Sequence, residues 1–385
     1  MRFAAIVCFC LVLTGCGSYA PQASKPPAPI SGNGTAAASG SALTIYTISD
    51  DITGSAPCGT SAVARVIGYS ATANGPSSTA LTITSPNTVD RYSTPATDAA
   101  GDIYVYSASA TQDCQEVVGS EKILVFAPAT NGTLTAAPIR TIAGPATQLF
   151  GGGLMAVDGA GNVYLWESQG AYAPTAPSTI VEFAAGANGN VAPIRTINVA
   201  QYPNSTGGGY PAGLAVDGSG NIVFAVSNPQ TLDGGVSAES DEIEVFTPDQ
   251  TGNATPARTI SGPLSQLTQI SGLGVDGAEN IYVEMSTVVT GADPTMLEFA
   301  GGANGSVSTA PINRISGTQT MLSRFLLNSL TVDGPGNIYV LTYTFPFTGP
   351  GTEPFYMLRF AAGATGNAVP TAALLSVSGV GIAAH

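Results

Sequence analysis

Histidine is nearly missing from this chain of 385 residues: one is present, His385, at the last position. A Ser-His-Asp triad, a histidine general base or a two-histidine zinc site would have to be built on a chain terminus. Basic residues are scarce too, 11 Lys and Arg against 25 Asp and Glu, for a net charge of −14. Nucleic acid and anionic headgroups both need a basic face, so neither is an expected partner. Charged residues make up only 9% of the chain, against roughly a quarter in ordinary globular proteins. Long apolar runs are also absent. The run from Phe3 to Leu13 has 11 residues, short of the roughly 20 that a membrane-spanning helix needs.

What is present is glycine and proline, 47 and 27 residues, among many Thr and Ser. That composition suits an all-β protein with many tight turns. The short apolar run follows Arg2 and ends in Leu13-Thr14-Gly15-Cys16, the layout of a secretory signal. These four residues resemble the bacterial lipobox. The resemblance implies a signal peptide over 1–15, removal before Cys16, and acylation of the Cys16 thiol. Several acyl chains exceed what stable anchoring requires, and Gly17 in place of Asp resembles outer-membrane sorting. Residues 16–41 are rich in Pro, Gly, Ser and Ala and read as a flexible tether of roughly 25–30 Å typical reach. The folded part is expected over 42–385, in the cell envelope and outside the cytoplasm.

Of five cysteines, Cys8 and Cys10 leave with the signal and Cys16 takes the lipid. Cys58 and Cys114 remain, and in an oxidising compartment an even remainder suggests a disulfide. A metal pair is the alternative reading.

A repeat organises the rest. Gly213-Leu-Ala-Val-Asp217-Gly-Ser-Gly-Asn221-Ile-Val-Phe224 returns around Asp158, Asp276 and Asp333, with a fainter copy at Asp98. The aspartates lie 60, 59, 59 and 57 residues apart. Each copy reads as a hairpin around an Asp-Gly-x-Gly-Asn turn. A second hairpin follows, such as Ile180-Val-Glu-Phe183 with Ile194-Arg-Thr-Ile197. Four short strands per unit, repeated, predict the blades of a β-propeller. The N-terminal region supplies three strands of a blade, Leu43 to Ser49, Arg65 to Ser70 and Ala80 to Thr84. The missing strand is expected from the C-terminus, because Ser378-Gly-Val-Gly-Ile-Ala383 matches Ser271-Gly-Leu-Gly-Val-Asp276. The expected fold is therefore six blades of four antiparallel strands, closed by Val380 to Ala384. Alternating segments of about ten residues, the signal of a membrane β-barrel, are not what the chain shows.

These repeats resemble the NHL-repeat propellers, in which a strand, an Asp-containing turn and an Asn-Ile-Tyr-Val strand mark each blade. The resemblance covers nearly all of 42–385 and implies fold, not activity. Propeller lyases of the streptogramin type use a catalytic histidine, a pattern from which this chain departs. Gluconolactonase-like propellers bind a divalent metal near the channel through Glu, Asn and Asp. Glu167, Asn228 and Glu284 follow second strands and are the weaker candidates for such a site.

Other constellations have structural readings. Calcium needs six to eight oxygens, and each Asp-Gly-x-Gly-Asn turn offers one carboxylate and one amide. The aspartates are expected to bond to local backbone. Glu182 can face Arg195, and Glu244 can face Arg258, as exposed pairs worth well under ~1 kcal/mol. Tyr104, Tyr164, Tyr282 and Tyr339, with Phe126, Phe183, Phe246, Phe299 and Phe360, are expected to pack between blades.

A second set of aromatics gathers in connections that strand alternation brings to one face: Phe150, Trp166, Tyr172, Tyr202, Tyr210, Tyr343, Phe345, Phe347, Phe355 and Tyr356. Such residues can stack on sugars or grip a partner's apolar side chains. The expected function is a lipid-anchored recognition or scaffold module for an envelope protein or glycan, without catalysis or cofactor. The alternative is a metal-dependent hydrolase of the lactonase kind.

Overall fold

The computed structural model describes residues 44–53, 61–76, 78–84, 90–109, 117, 119–129, 131–151, 153–167, 178–199, 210–227, 241–285, 293–304, 309–322, 330–343, 355–377 and 380–384. They form a six-bladed β-propeller, with four antiparallel strands per blade, here called a to d from the central channel outward. Blade 1 joins the chain ends: a, Val380–Ala384; b, Thr44–Thr53; c, Ser61–Ser70; d, Leu81–Thr84. Blade 2 is Asp90–Thr97, Ile103–Ser109, Lys122–Phe126 and Arg140–Ala143. Blade 3 is Leu154–Val157, Val163–Glu167, Ser178–Phe183 and Arg195–Val199. Blade 4 is Tyr210–Val216, Ile222–Ser227, Glu242–Phe246 and Arg258–Ile260. Blade 5 is Ile270–Val275, Ile281–Met285, Thr295–Phe299 and Asn313–Ser316. Blade 6 is Leu330–Val332, Ile338–Tyr343, Phe355–Phe360 and Ala372–Val377.

The closure expected from the sequence is present. Val380–Ala384 pairs antiparallel with Thr44–Thr53, Ile45 opposite Ala384 and Ile48 opposite Val380. Circular closure removes the ring's open edge.

The a–b turn explains the repeated aspartate. Asp158 Oδ1 accepts from the amides of Ala160 and Asn162, and its Oδ2 accepts from Asn162 Nδ2 and the Tyr164 hydroxyl. Asp276 repeats all four bonds, and Asp98 and Asp333 repeat three each. Asn162 Oδ1 in turn accepts from Ala185 N, fastening the turn to the end of strand c. In blade 4 the tyrosine is replaced by Val223, and Arg258 approaches Asp217 at 4.0 Å. These carboxylates bond within their own hairpins, as an Asx-type turn requires.

Blades pack through the expected aromatics, with Tyr104, Tyr339 and all five strand-c phenylalanines fully buried. The inner strands approach closely: a Cβ on Gly213 would fall 2.3 Å from Leu273 Cβ of the next blade. One register differs from expectation. Glu182 does oppose Arg195, 2.5 Å apart, but the pair is mostly buried. Arg258 opposes Val245, not Glu244, and a one-residue offset puts successive side chains on opposite faces of the sheet.

A further feature ties the ring together. The c–d turn of a blade hydrogen-bonds, in parallel, to strand d of the blade before it. Gly189 N donates to Thr141 O at 2.6 Å, and Ala143 N donates to Gly189 O at 3.1 Å. Gly252 does the same to Thr196 and Asn198, and Gly366 to Arg314 and Ser316. Gly132–Thr135 adds a short strand to Leu81–Thr84, and Gly75–Pro76 another to Ala372–Val377. Five blade seams are latched by backbone in this way among the described residues, and each latch covers an edge that would otherwise be exposed.

Candidate functional site

The disc has two unlike faces. The short a–b turns and the glycine-rich c–d turns, 10 to 13 residues long, occupy one. The b–c and d–a connections occupy the other, the loop face. Between them runs a channel of about 580 Å³, lined by strand a of all six blades. Its lining is built from Gly, Ala, Val, Leu, Ile, Met and Pro, with Ser93, Thr94, Thr97 and Thr331 as the polar side chains. Two of these hydroxyls are engaged by neighbouring blades: Thr97 Oγ1 donates to Ala384 O at 3.0 Å, and Thr94 Oγ1 donates to Gly153 O. No charged side chain lines this channel among the described residues.

Glu167 closes strand b of blade 3 at the loop face. It is buried, and its Oε2 accepts from Phe150 N at 2.9 Å, pinning the connection that leads into the blade. Asp241 does similar work between blades 4 and 5, accepting from Ile270 N at 2.9 Å and from the Ser227 hydroxyl. Sequence reasoning passed over Asp241, which no motif marks.

Glu284 is different. Its side chain is fully buried, and neither carboxylate oxygen has a hydrogen-bond partner among the described residues. Desolvation pushes its pKa up to about 8, so the group is a neutral acid at pH 7. It stands opposite Gly272, a channel residue. A Cβ on Gly272 would lie 2.9 Å from Glu284 Oε2 and 3.1 Å from Leu330 Cβ. The carboxyl therefore sits directly behind a thin part of the channel wall.

The structure does not bring Glu167 and Glu284 together. They belong to blades 3 and 5, with blade 4 between. Glu284 occupies the strand position that Trp166 fills in blade 3, so Glu167, one residue further on, lies on the other side of its sheet. Asn228 lies outside the described residues. Among the described residues, no group of three or more His, Cys, Asp or Glu side chains is gathered as metal ligands would be.

The second aromatic set is partly visible. Phe150 is half-buried in the connection after blade 2. Trp166, Tyr210, Tyr343, Phe355 and Tyr356 belong to strands, each at the loop-face end of its strand. Trp166 and Tyr356 are half-buried. Tyr172, Tyr202, Phe345 and Phe347 lie outside the described residues, as do Cys16, Cys58 and Cys114.

The chain matches no protein-family model and no curated protein sequence. Among solved structures it is similar to a luciferin-regenerating enzyme at 11% identity and TM-score 0.41, covering 74% of this chain and 75% of that one. It is similar to a gluconolactonase from Xanthomonas campestris at 13% identity and TM-score 0.37, covering 86% and 85%. It is also similar to a Hadza microbial sialidase at 12% identity and TM-score 0.41, covering 83% and 67%. Likenesses of this size carry no argument about activity.

Proposed function

We propose that this chain is an extracytoplasmic lipoprotein of the NHL-repeat type, anchored through Cys16, whose loop face recognises an envelope protein or glycan without catalysing a reaction. The observation that carries the reading is the channel: its described lining offers no charged group for acid–base work. The repeated aspartates are bonded within their turns, and Glu167 holds a backbone amide. Trp166 and Tyr356, half-buried at loop-face strand ends, leave surface suited to stacking and apolar contact. Cys58 and Cys114, in the b–c loops of blades 1 and 2, form a disulfide that braces this face.

One observation favours a second reading. The neutral Glu284 carboxyl behind Gly272 is the kind of perturbed group that hydrolases use. Thermal melts of the folded chain, metal-stripped and then given calcium, magnesium, manganese or zinc, separate the two. A ligand at 100 times its dissociation constant adds about 2.7 kcal/mol. The recognition reading expects no midpoint shift with any of the four. A saturable rise would overturn it in favour of the metal-dependent hydrolase.

A further inference from the structure

Of the six exposed large apolar residues among those described, four share one face, while Leu264 (62% exposed) and Val117 (41% exposed) lie in connections of the loop face. Ile139, Ile194 and Ile312 are 52%, 61% and 59% exposed, and Val369 is 53% exposed. The three isoleucines hold one repeated position, directly after a proline and directly before strand d, in blades 2, 3 and 5. Each donates its amide to strand c, to Val125 O, Glu182 O and Glu298 O respectively. Their placement is therefore set by the blade and does not depend on loop conformation. Val369 lies in the same c–d turn of blade 6. All four stand on the turn face.

In a six-membered ring, blades 2 and 5 are opposite one another, and so are blades 3 and 6. A partner of ordinary footprint that grips one side of the disc would not reach all four residues. A plane would. The chain also supplies the plane. Thr44 begins strand b of blade 1 beside Ala384, the end of strand a, so the preceding segment enters the propeller at the turn face. Twenty-seven residues separate Cys16 from Thr44, with a typical reach of roughly 25–30 Å.

We infer that the turn face rests on the lipid bilayer that holds the anchor, with Ile139, Ile194, Ile312 and Val369 dipping into the interface and the loop face turned away from it. This rests on the anchored reading above. The scarcity of basic residues points to apolar contact with zwitterionic lipid, not to capture of anionic headgroups.

The chain's single tryptophan makes the test direct. Trp166 lies at the loop-face end of its strand and reports on that face. Ile194→Trp and Ile312→Trp, each combined with Trp166→Phe, report on the turn face. The lipidated full-length proteins are reconstituted in phosphatidylcholine vesicles with brominated acyl chains, which quench tryptophan at short range. Emission from positions 194 and 312 is expected to be quenched and blue-shifted, and that of Trp166 in the natural chain to stay unchanged. Circular dichroism melts confirm that the variants fold, and two sites guard against failure of one.

A chain that floats with the vesicles but shows no quenching at 194 and 312 overturns this inference and leaves the anchor standing. Quenching at Trp166 alone would show the disc inverted. Dimers seen by light scattering, with no quenching, would assign the turn face to a second copy of the chain. A chain that does not float overturns the anchored reading and this one with it.

Discussion

At the scale of single residues, buried carboxyls separate structural roles from exceptional ones. Asp158 and its equivalents meet amides and hydroxyls within their hairpins. Glu284 meets none among the described residues, and Glu244 has one orphaned oxygen. Desolvation, first, and then the nearby Glu242 charge push the pKa of Glu244 up to about 7. The sign of the consequence follows from linkage. An unfolded glutamate ionises near 4.5, whereas the folded Glu284 holds its proton to about 8. Between those values the folded state binds more protons, so stability falls as pH rises, and the penalty is complete above pH 8. Glu284→Gln removes the titration. Urea unfolding from pH 5 to pH 8 is expected to show a smaller loss of stability in the variant than in the natural chain. Equal losses would mean that Glu284 ionises normally. The sequence marked Glu284 by its place at the end of a strand, together with Glu167. The two face opposite sides of their sheets because Glu167 is the fifth and Glu284 the fourth residue of strands of equal length, and side chains alternate along a strand.

At the scale of elements, the latch between blades is the feature that hairpin patterns conceal. Gly189 has φ +78 and no atom within 4 Å of a Cβ built on it. Its glycine is needed for conformation, not for space. Gly189→Ala should cost about 1–2 kcal/mol, the penalty of a left-handed backbone with a side chain. The measurement is the urea midpoint at unchanged slope. No change would show that the turn relaxes without its left-handed residue. The Gly-Asn composition of these turns is legible in the sequence, and so is their place between strands c and d. Their partners are not, because each latch joins residues about one blade apart through backbone atoms, which leave no mark on residue type. The Glu244–Arg258 pairing failed for a related reason: strand d of blade 4 is Arg258–Ile260, and its register brings the guanidinium toward Asp217.

At the scale of the whole molecule, ring closure is the contact that holds the two chain ends together. Val380–Ala384 supplies the innermost strand of blade 1 and part of the channel wall through Ile382, Ala383 and Ala384. Deleting Gly379 to His385 exposes the inner edge of blade 1 and unseals the channel. The loss should exceed about 4 kcal/mol, beyond what single substitutions ordinarily cost. An unchanged melting midpoint would mean that the other five blades hold the ring without it. The orientation inferred for the disc belongs to this scale as well, since it depends on residues spread over four blades and on where the first strand begins.

The period, the number of blades, the role of the repeated aspartates and the identity of the closing strand are all legible in the order of residues. All of these are written in short-range order: an apolar alternation, a turn signature and a repeat of nearly constant length. The desolvation of Glu284 behind the channel wall, the latching of neighbouring blades by their turns and the shared face of the exposed isoleucines come from three-dimensional packing. Burial, partner choice and facing are set by what other blades place nearby, and no local pattern of residues carries that information.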